Sequence, residues 1–372
     1  MSANNTKKIR LGLIGVGNWA NNGHFPVLAL FPQYELSAIY SQRADAAQEA
    51  AQKHGIKHVV KTLDGLVRHP EVDLVLVLTT GPQHEEGIRA AIAAGKDVYC
   101  EWPLTPDVKT SAELVALAHV AGVRTILGVQ RRFAPAFRYL RDLVAAGYVG
   151  KLRSVRLHVS VNSFGQRRPS GLRWSVFPEN FMGVTSIFGA HLMDPLFSVV
   201  GRPKEFSALM LNQIPEVIIA ETGEQLRTDV PDQLLMSGTL QGGAVFSVHI
   251  EGGKHNGSGV RLDITGDKGD LQLTNTSAFG GPDEHYQILG ASGENVPLSA
   301  LPIPAPYKVV PDSTGLPTGV LELGDLYALH AADVENDTRT LPSFDDALWM
   351  QQLLELAVES STTGRRVAAP IL

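Results

Sequence analysis

Along roughly the first 125 residues, short apolar runs alternate with stretches whose apolar positions recur at helical spacing, the rhythm of βαβ units around a parallel sheet. Lys8–Gly15, Glu35–Tyr40, Leu74–Leu78, Asp97–Cys100 and Arg124–Val129 read as strands. Ala44–His54 and Glu85–Ala94 read as helices that stop at Gly55 and Gly95. Thr105-Pro106, a capping hydroxyl followed by proline, predicts a helix opening there and running to about Ala121. From about Lys151 the period falls to two. Residues 151–161, Ser237–Ile250 and Val260–Leu273 alternate, with turns at Gly242-Gly243 and Asp267-Lys268-Gly269-Asp270, and predict a large, mostly antiparallel sheet. The Gly-, Pro- and Ser-rich segment 277–320 has no sustained period and is expected to be loop, before helical patterns return at Leu323–Val334 and Phe344–Ser360.

Composition narrows the function. With 44% hydrophobic and 19% charged residues the chain is globular rather than disordered. A net charge of −6 with no basic block argues against direct nucleic-acid binding. Cys100, the single cysteine, excludes an intrachain disulfide, and the polar start Met1-Ser2-Ala3-Asn4-Asn5 lacks the layout of a signal peptide. No apolar run approaches the ~18–20 residues that cross a bilayer, so no membrane contact and a cytoplasmic location are expected.

The sharpest motif closes the first strand: Gly15-Val16-Gly17-Asn18-Trp19-Ala20, the G-x-G-x-x-A form of the dinucleotide fingerprint. Gly15 permits the tight turn, Gly17 admits a pyrophosphate to the backbone, and Ala20 allows close helix packing. Asn18 and Trp19 share the loop and are taken as cofactor contacts with them. At the end of the second strand, where an NAD enzyme usually has Asp or Glu for the ribose 2′-hydroxyl, the chain reads Tyr40-Ser41-Gln42-Arg43. With the repelling carboxylate missing, Ser41 and Arg43 suit a 2′-phosphate, which favours NADP(H) over NAD(H). No metal-ligand spacing of the HExxH or CxxC kind and no nucleophile elbow appear, so neither a metal site nor a hydrolase is expected.

These features, with Thr79-Thr80-Gly81-Pro82-Gln83-His84, Gly95-Lys96-Asp97-Val98-Tyr99-Cys100-Glu101-Trp102-Pro103-Leu104 and Gly189-Ala190-His191-Leu192-Met193-Asp194, resemble the Gfo/Idh/MocA oxidoreductase family nearly end to end. The resemblance implies an N-terminal Rossmann domain (1–129), its doubly wound parallel sheet followed by a C-terminal open-faced, mostly antiparallel sheet domain (130–372) serving substrate and oligomer contacts. The last helix is a candidate to pack back on the first domain. It further implies an NAD(P)-dependent oxidoreductase acting on a sugar, glycoside or polyol, with Thr79, His84 and Glu101 at the cofactor. A homodimer or tetramer through the C-terminal sheet is expected.

Three departures bear on chemistry. The family's Glu-Lys-Pro loop reads Glu101-Trp102-Pro103, so the proton-handling lysine is replaced by an indole that only donates. Ile187 stands where the family has an aspartate four residues before the histidine, and the usual Thr-Pro reads Thr79-Thr80. His191 is left as the acid–base candidate, with Asp194 at i+3 to orient it and Gly189 allowing close approach. Trp102 offers a stacking wall for a sugar, and Gln130 is taken with it and His191 as a substrate contact. The Glu-Trp loop also resembles the branch containing the fungal galactose-pathway repressor. Two readings therefore stand: an NADP(H)-dependent dehydrogenase with an atypical site, or a non-catalytic NADP-binding sensor with a regulatory protein partner.

Overall fold

The computed structural model describes residues 8–181, 183–281, 284–311 and 314–371. They divide into two compact units, Met1–Gly128 with Leu323–Leu348, and Val129–Glu322 with Trp349–Leu372.

In the first unit six strands, β1 (Ile9–Ile14), β2 (Tyr34–Tyr40), β3 (His58–Val59), β4 (Leu74–Val77), β5 (Asp97–Glu101) and β6 (Thr125–Gly128), pair in parallel in the order β3-β2-β1-β4-β5-β6. Leu11, Leu13 and all of β4 are buried, because a parallel sheet is covered on both faces and its central strands are apolar throughout. The covering helices are α1 (Phe25–Leu28), α2 (Ala44–His54), α3 (Leu63–Val67), α4 (His84–Ala93) and α5 (Val108–Ala121). The order reverses between β1 and β4, and the loops beginning at Gly15, Ser41, Thr79 and Trp102 all leave carboxyl ends of strands at that crevice.

The start of α5 differs from the expected one. Asp107 is its N-cap, its Oδ1 accepting the Thr110 N–H at 2.8 Å. The buried Thr105 hydroxyl instead donates to the Asp107 carbonyl and bonds the Ser111 hydroxyl. A carboxylate placed two residues later satisfies the helix end, and the threonine is consumed inside the turn.

The second unit is built on a nine-stranded sheet in the order β17-β16-β15-β14-β7-β13-β12-β9-β18. These are β7 (Leu152–Ser160), β9 (Pro203–Leu211), β12 (Gln233–Leu240), β13 (Val245–Glu251), β14 (Gly259–Gly266), β15 (Gly269–Asn275), β16 (Gln287–Ser292), β17 (Ser299–Ala300) and β18 (Val367–Ala368). A small second sheet holds β8 (Arg167–Arg168), β10 (Glu216–Ile219) and β11 (Gln225–Arg227). All pairings in the large sheet are antiparallel except β7 with β13. One face is apolar: Val155, Leu157, Val159, Val248 and Ile250 are buried, and α7 (Val184–Val200) packs there, beside α6 (Pro135–Ala145). The stretch Pro178–Val200 has the length and hydropathy of a membrane span, but 78% of its most apolar 18-residue window is buried within the protein, as in a core helix. Helices α8 (Thr318–Asn336) and α9 (Phe344–Thr363) each contribute residues to both units.

Part of the segment expected as loop is sheet. β16 pairs with β15 from Gly269↔Ser292 to Thr274↔Gln287, and β17 adds to its far side. Its sequence, Gln-Ile-Leu-Gly-Ala-Ser, is short and carries Gly and Ala, so backbone pairing to a neighbour forms a strand that side-chain alternation does not announce.

At the other edge β18 pairs only along Glu205–Phe206 of β9. Beyond it the Ala208 and Met210 N–H groups donate to the hydroxyls of Ser360 and Ser361 on α9, at 2.9 and 2.8 Å. Two side chains thus finish an edge that backbone pairing leaves open. Ser360→Ala should lower stability by about 1–2 kcal/mol, read from the denaturation midpoint, since it strands a half-buried donor; a change within about 0.5 kcal/mol would show that the edge is satisfied another way.

Candidate functional site

Gly15 adopts φ +98°, and a Cβ there would lie 3.0 Å from Thr79 Cγ2 and 3.1 Å from the Leu78 backbone, so only glycine fits. Its N–H donates to the Tyr40 carbonyl at 2.9 Å, which ties the loop to the end of β2. Gly17 is exposed, and a Cβ on it would find its nearest neighbour only at 3.9 Å. That open side is the approach a pyrophosphate needs. Beside it the buried Thr79 Oγ1 has no hydrogen-bond partner in the structure. An orphaned hydroxyl next to a glycine-lined concavity at the carboxyl ends of β1 and β4 fits a bound dinucleotide. Asn18 is exposed at the mouth, and Ala20 is buried where the chain turns helical. Asn21, which the motif does not include, donates from Nδ2 to the Val16 and Gly17 carbonyls and holds the loop in shape.

At the end of β2, Ser41 Oγ accepts the Arg43 N–H at 3.2 Å, and the Arg43 guanidinium reaches back to the Val16 carbonyl at 3.5 Å. Both lie beside the glycine loop, with no carboxylate on the strand's last residue.

Glu101, expected at the cofactor, is held by side chains of its own unit. Three donors converge on its Oε1: Trp19 Nε1 at 3.1 Å, His24 Nε2 at 2.8 Å and the Tyr99 hydroxyl at 2.6 Å. An indole can only donate, and a carboxylate can only accept, so His24 carries its hydrogen on Nε2; in the neutral ring Nδ1 then accepts from the Tyr327 hydroxyl at 2.7 Å. Burial and the Glu101 charge push the Tyr99 phenol well above its usual range, and burial does the same for Tyr327, so both stay protonated. The geometry requires a π turn, Ala20–His24, in the helix after the loop, and Gly23, whose Cβ would sit 3.0 Å from the Trp19 ring. None of His24, Tyr99 or Tyr327 was legible as a site residue, because Tyr327 is more than two hundred positions away and His24 is one of 12 histidines.

His84 is a buried clamp. Nδ1 lies 2.8 Å from the Pro103 carbonyl and Nε2 3.0 Å from that of Thr79, so both nitrogens face backbone between the loops after β4 and β5, rather than a cofactor. Burial lowers its pKa. Trp102, joined to Pro103 by a cis peptide, is 4% exposed. Stacking on a sugar would require its ring to be uncovered.

In the second unit His191 lies half-buried on α7, and Asp194, one turn on, is gripped at both oxygens by Arg132: Nε to Oδ2 at 2.9 Å, Nη2 to Oδ1. A forked guanidinium matches a carboxylate with two parallel N–H donors. Pro195 removes the helical N–H that would reach the His191 carbonyl. Gly189 is not required for close approach, because a Cβ there would make only ordinary contacts with Met193 and Ile250.

Gln130 is buried in the 3₁₀ turn Gln130–Phe133, and its Oε1 finds no donor in the structure. Next to it in sequence, buried Arg131 donates to the Tyr286 hydroxyl and the Phe279 carbonyl, each at 3.2 Å, and stands 3.6 Å from Glu322 Oε2. Glu322 is 1% exposed with neither oxygen hydrogen-bonded, and burial outweighs Arg131's attraction, pushing its carboxyl up to about 7. Among the described residues no cluster of three or more His, Cys, Asp or Glu could hold a metal.

The oxidoreductase family with an NAD-binding Rossmann fold matches residues 9–129, and the C-terminal domain of Gal80p matches residues 135–275. The two matches together identify an N-terminal Gfo/Idh/MocA Rossmann domain followed by a Gal80-like C-terminal domain. It is 25% identical to dehydrogenase aclE of Aspergillus oryzae over 97% of this chain and 98% of that one. It is also 26% identical to the galactose/lactose metabolism regulatory protein GAL80 of Saccharomyces cerevisiae, over 74% of this chain and 68% of that one. A levoglucosan dehydrogenase complex with NADH and levoglucosan shares the fold at a TM-score of 0.83 and 20% identity, covering 98% of this chain and all of that one.

Glu322 predicts a pH effect. With a folded-state pKa of about 7 against an ordinary 4.5, its contribution is full below about pH 4.5 and lost as pH rises through 7. Wild type should therefore lose up to about 3 kcal/mol relative to Glu322→Gln between about pH 5 and pH 8.5, measured by denaturant unfolding. The difference between the two proteins is the readout, because His330, held down to about 4 by burial, contributes a slope of opposite sign to both. Equal pH profiles would mean the carboxyl is not protonated by burial.

Proposed function

We propose that the protein is an NADP(H)-dependent oxidoreductase that moves a hydride to or from a carbinol or carbonyl carbon of a sugar, glycoside or related polyol. The observation carrying this reading is the open, glycine-lined cradle with the orphaned Thr79 hydroxyl, set in a family of NAD-binding oxidoreductases. The hydride chemistry is the dinucleotide's own. Gly15, Gly17, Asn18 and Ala20 would seat the pyrophosphate, with Thr79 donating to it or to the neighbouring ribose. Ser41 and Arg43 would hold the 2′-phosphate, Arg43 by a charge-assisted hydrogen bond. Glu101 and Trp19 act as one positioning unit for that loop. His191 would exchange the proton of the substrate oxygen, and Arg132 holds Asp194 on the same helix. Gln130 would meet a hydroxyl of the ligand. The uncovered face of the large sheet would join copies of the chain into a dimer or tetramer.

A second reading is favoured by one observation: the family lysine is replaced by Trp102, a residue unable to exchange protons, in a chain similar to a regulatory protein. On that reading the protein binds NADP(H), and a sugar, without turnover, and reports to a protein partner.

NADPH should bind more tightly than NADH by fluorescence titration, and Arg43→Ala should weaken NADPH about 10- to 100-fold while changing NADH less than about threefold; tighter NADH binding would overturn the NADP assignment. With a substrate found on a panel of sugars, glycosides, cyclitols and their keto forms, His191→Ala should lower kcat about 10²- to 10⁴-fold, and unchanged turnover would remove His191 from the chemistry. Trp102→Lys separates the two readings: gained dehydrogenase activity marks a degenerate site, and lost activity marks Trp102 as a working part.

A further inference from the structure

On the uncovered face of the large sheet, His158 of β7 and His249 of β13 stand directly opposite each other, rings stacked with centroids 5.0 Å apart. Leu235 flanks His249 on β12, and Arg261 flanks His158 on β14, so the pair lies in the middle of the face. A shallow groove of about 760 Å³ runs over them. Leu209, Leu211, Leu235 and Val245 project from the same face at 44–53% exposure. Six central strands of seven to nine residues present roughly 700–800 Å² at sheet spacings, close to the ~800 Å² per partner of a stable interface.

The charges around the pair are nearly balanced. Asp263 takes Arg156 at 3.0 Å and Arg261 at 3.1 Å, with Gln272 on its other oxygen, and Glu251 takes both Lys254 and His158 Nε2 at 3.0 Å. His249 Nε2 meets the neutral Gln233 amide oxygen at 3.3 Å. Further along, Asp270 bonds Thr265. A face carrying rows of both signs beside an apolar strip is complementary to a rotated copy of itself. Glu251, the carboxylate at the pair, is shared by Lys254 and His158, and the polar partner of His249 is a neutral amide.

Building on the reading of this face as the contact between copies of the chain, we propose that the stacked His158–His249 pair makes that association pH-gated, favoured above neutrality and lost in mild acid. An isologous contact brings four imidazoles into one water-poor layer. Protonation then places added positive charge among Arg156, Arg261 and Lys254 with both carboxylates already engaged. Covering the pair therefore favours a neutral His249, whose own polar partner is an amide, and association weakens as pH falls through the histidine range, ~6.5. Burial and the neighbouring His158 already hold His249 below its ordinary value in a single copy, partly offset by Glu251.

The test is sedimentation of the full chain at about pH 8 and about pH 5.5 at constant ionic strength, for wild type, His249→Gln and Leu235→Arg, with folding checked by circular dichroism. We expect dimers at the higher pH, a dimer Kd at least about tenfold weaker at the lower, a pH response below about threefold in His249→Gln, and monomers at both pH values for Leu235→Arg. Should His249→Gln not fold, His158→Gln takes its place. A wild-type monomer at the higher pH, or a dimer undisturbed by Leu235→Arg, overturns the assignment of the face. Equal association at both pH values overturns the pH gate and leaves the interface standing.

Discussion

Glu101 Oε1 ties the first unit together. Trp19 reaches it from the glycine loop, Tyr99 from its own strand, and His24 from the helix that follows the loop, with Tyr327 of α8 behind the imidazole. All three groups donate to one oxygen, which only an ionised carboxylate accepts well. Removing it would leave buried donors on three elements at once. Because the same carboxylate ends β5 and receives the indole of the cofactor loop, the shape of that loop and the position of the Glu101-Trp102-Pro103 segment are set jointly. Gly15 supplies the complementary constraint: its left-handed backbone lets the loop pass against Leu78 and Thr79, where a side chain would not fit.

The second unit makes opposite uses of two adjacent arginines. Arg132 forks onto Asp194, which satisfies both partners and fixes the middle of α7. Arg131 is turned inward to a hydroxyl and a carbonyl, and the carboxylate nearest to it, Glu322, is offset to 3.6 Å without a hydrogen bond. A charge pair out of water is stabilising only when its geometry is good. The first pair meets that condition. At the second, burial outweighs the attraction of Arg131 and raises the proton affinity of Glu322.

Family membership sets the scaffold and leaves the chemistry to the site. A dehydrogenase and a galactose/lactose metabolism regulatory protein both resemble this chain over most of its length. On the proposed reading, the side chains that bear on the chemistry here are Trp102 in place of a lysine, Ile187 in place of an aspartate, and His191.

The amino-acid sequence by itself determined the parallel sheet, the glycine loop, the missing carboxylate after β2 and the alternating strands of the second unit. Each rests on local grammar: period, turn chemistry, or a residue type whose backbone freedom is needed in place. Only the tertiary structure decided that β16 is a strand, that Asp107 rather than Thr105 caps α5, and that His84 is spent on two carbonyls. It alone brought Tyr327 to His24, Arg132 to Asp194 and His249 to His158. Those contacts join residues tens to hundreds of positions apart, and a polar side chain's role depends on which partner the fold delivers to it, a quantity that no local pattern encodes.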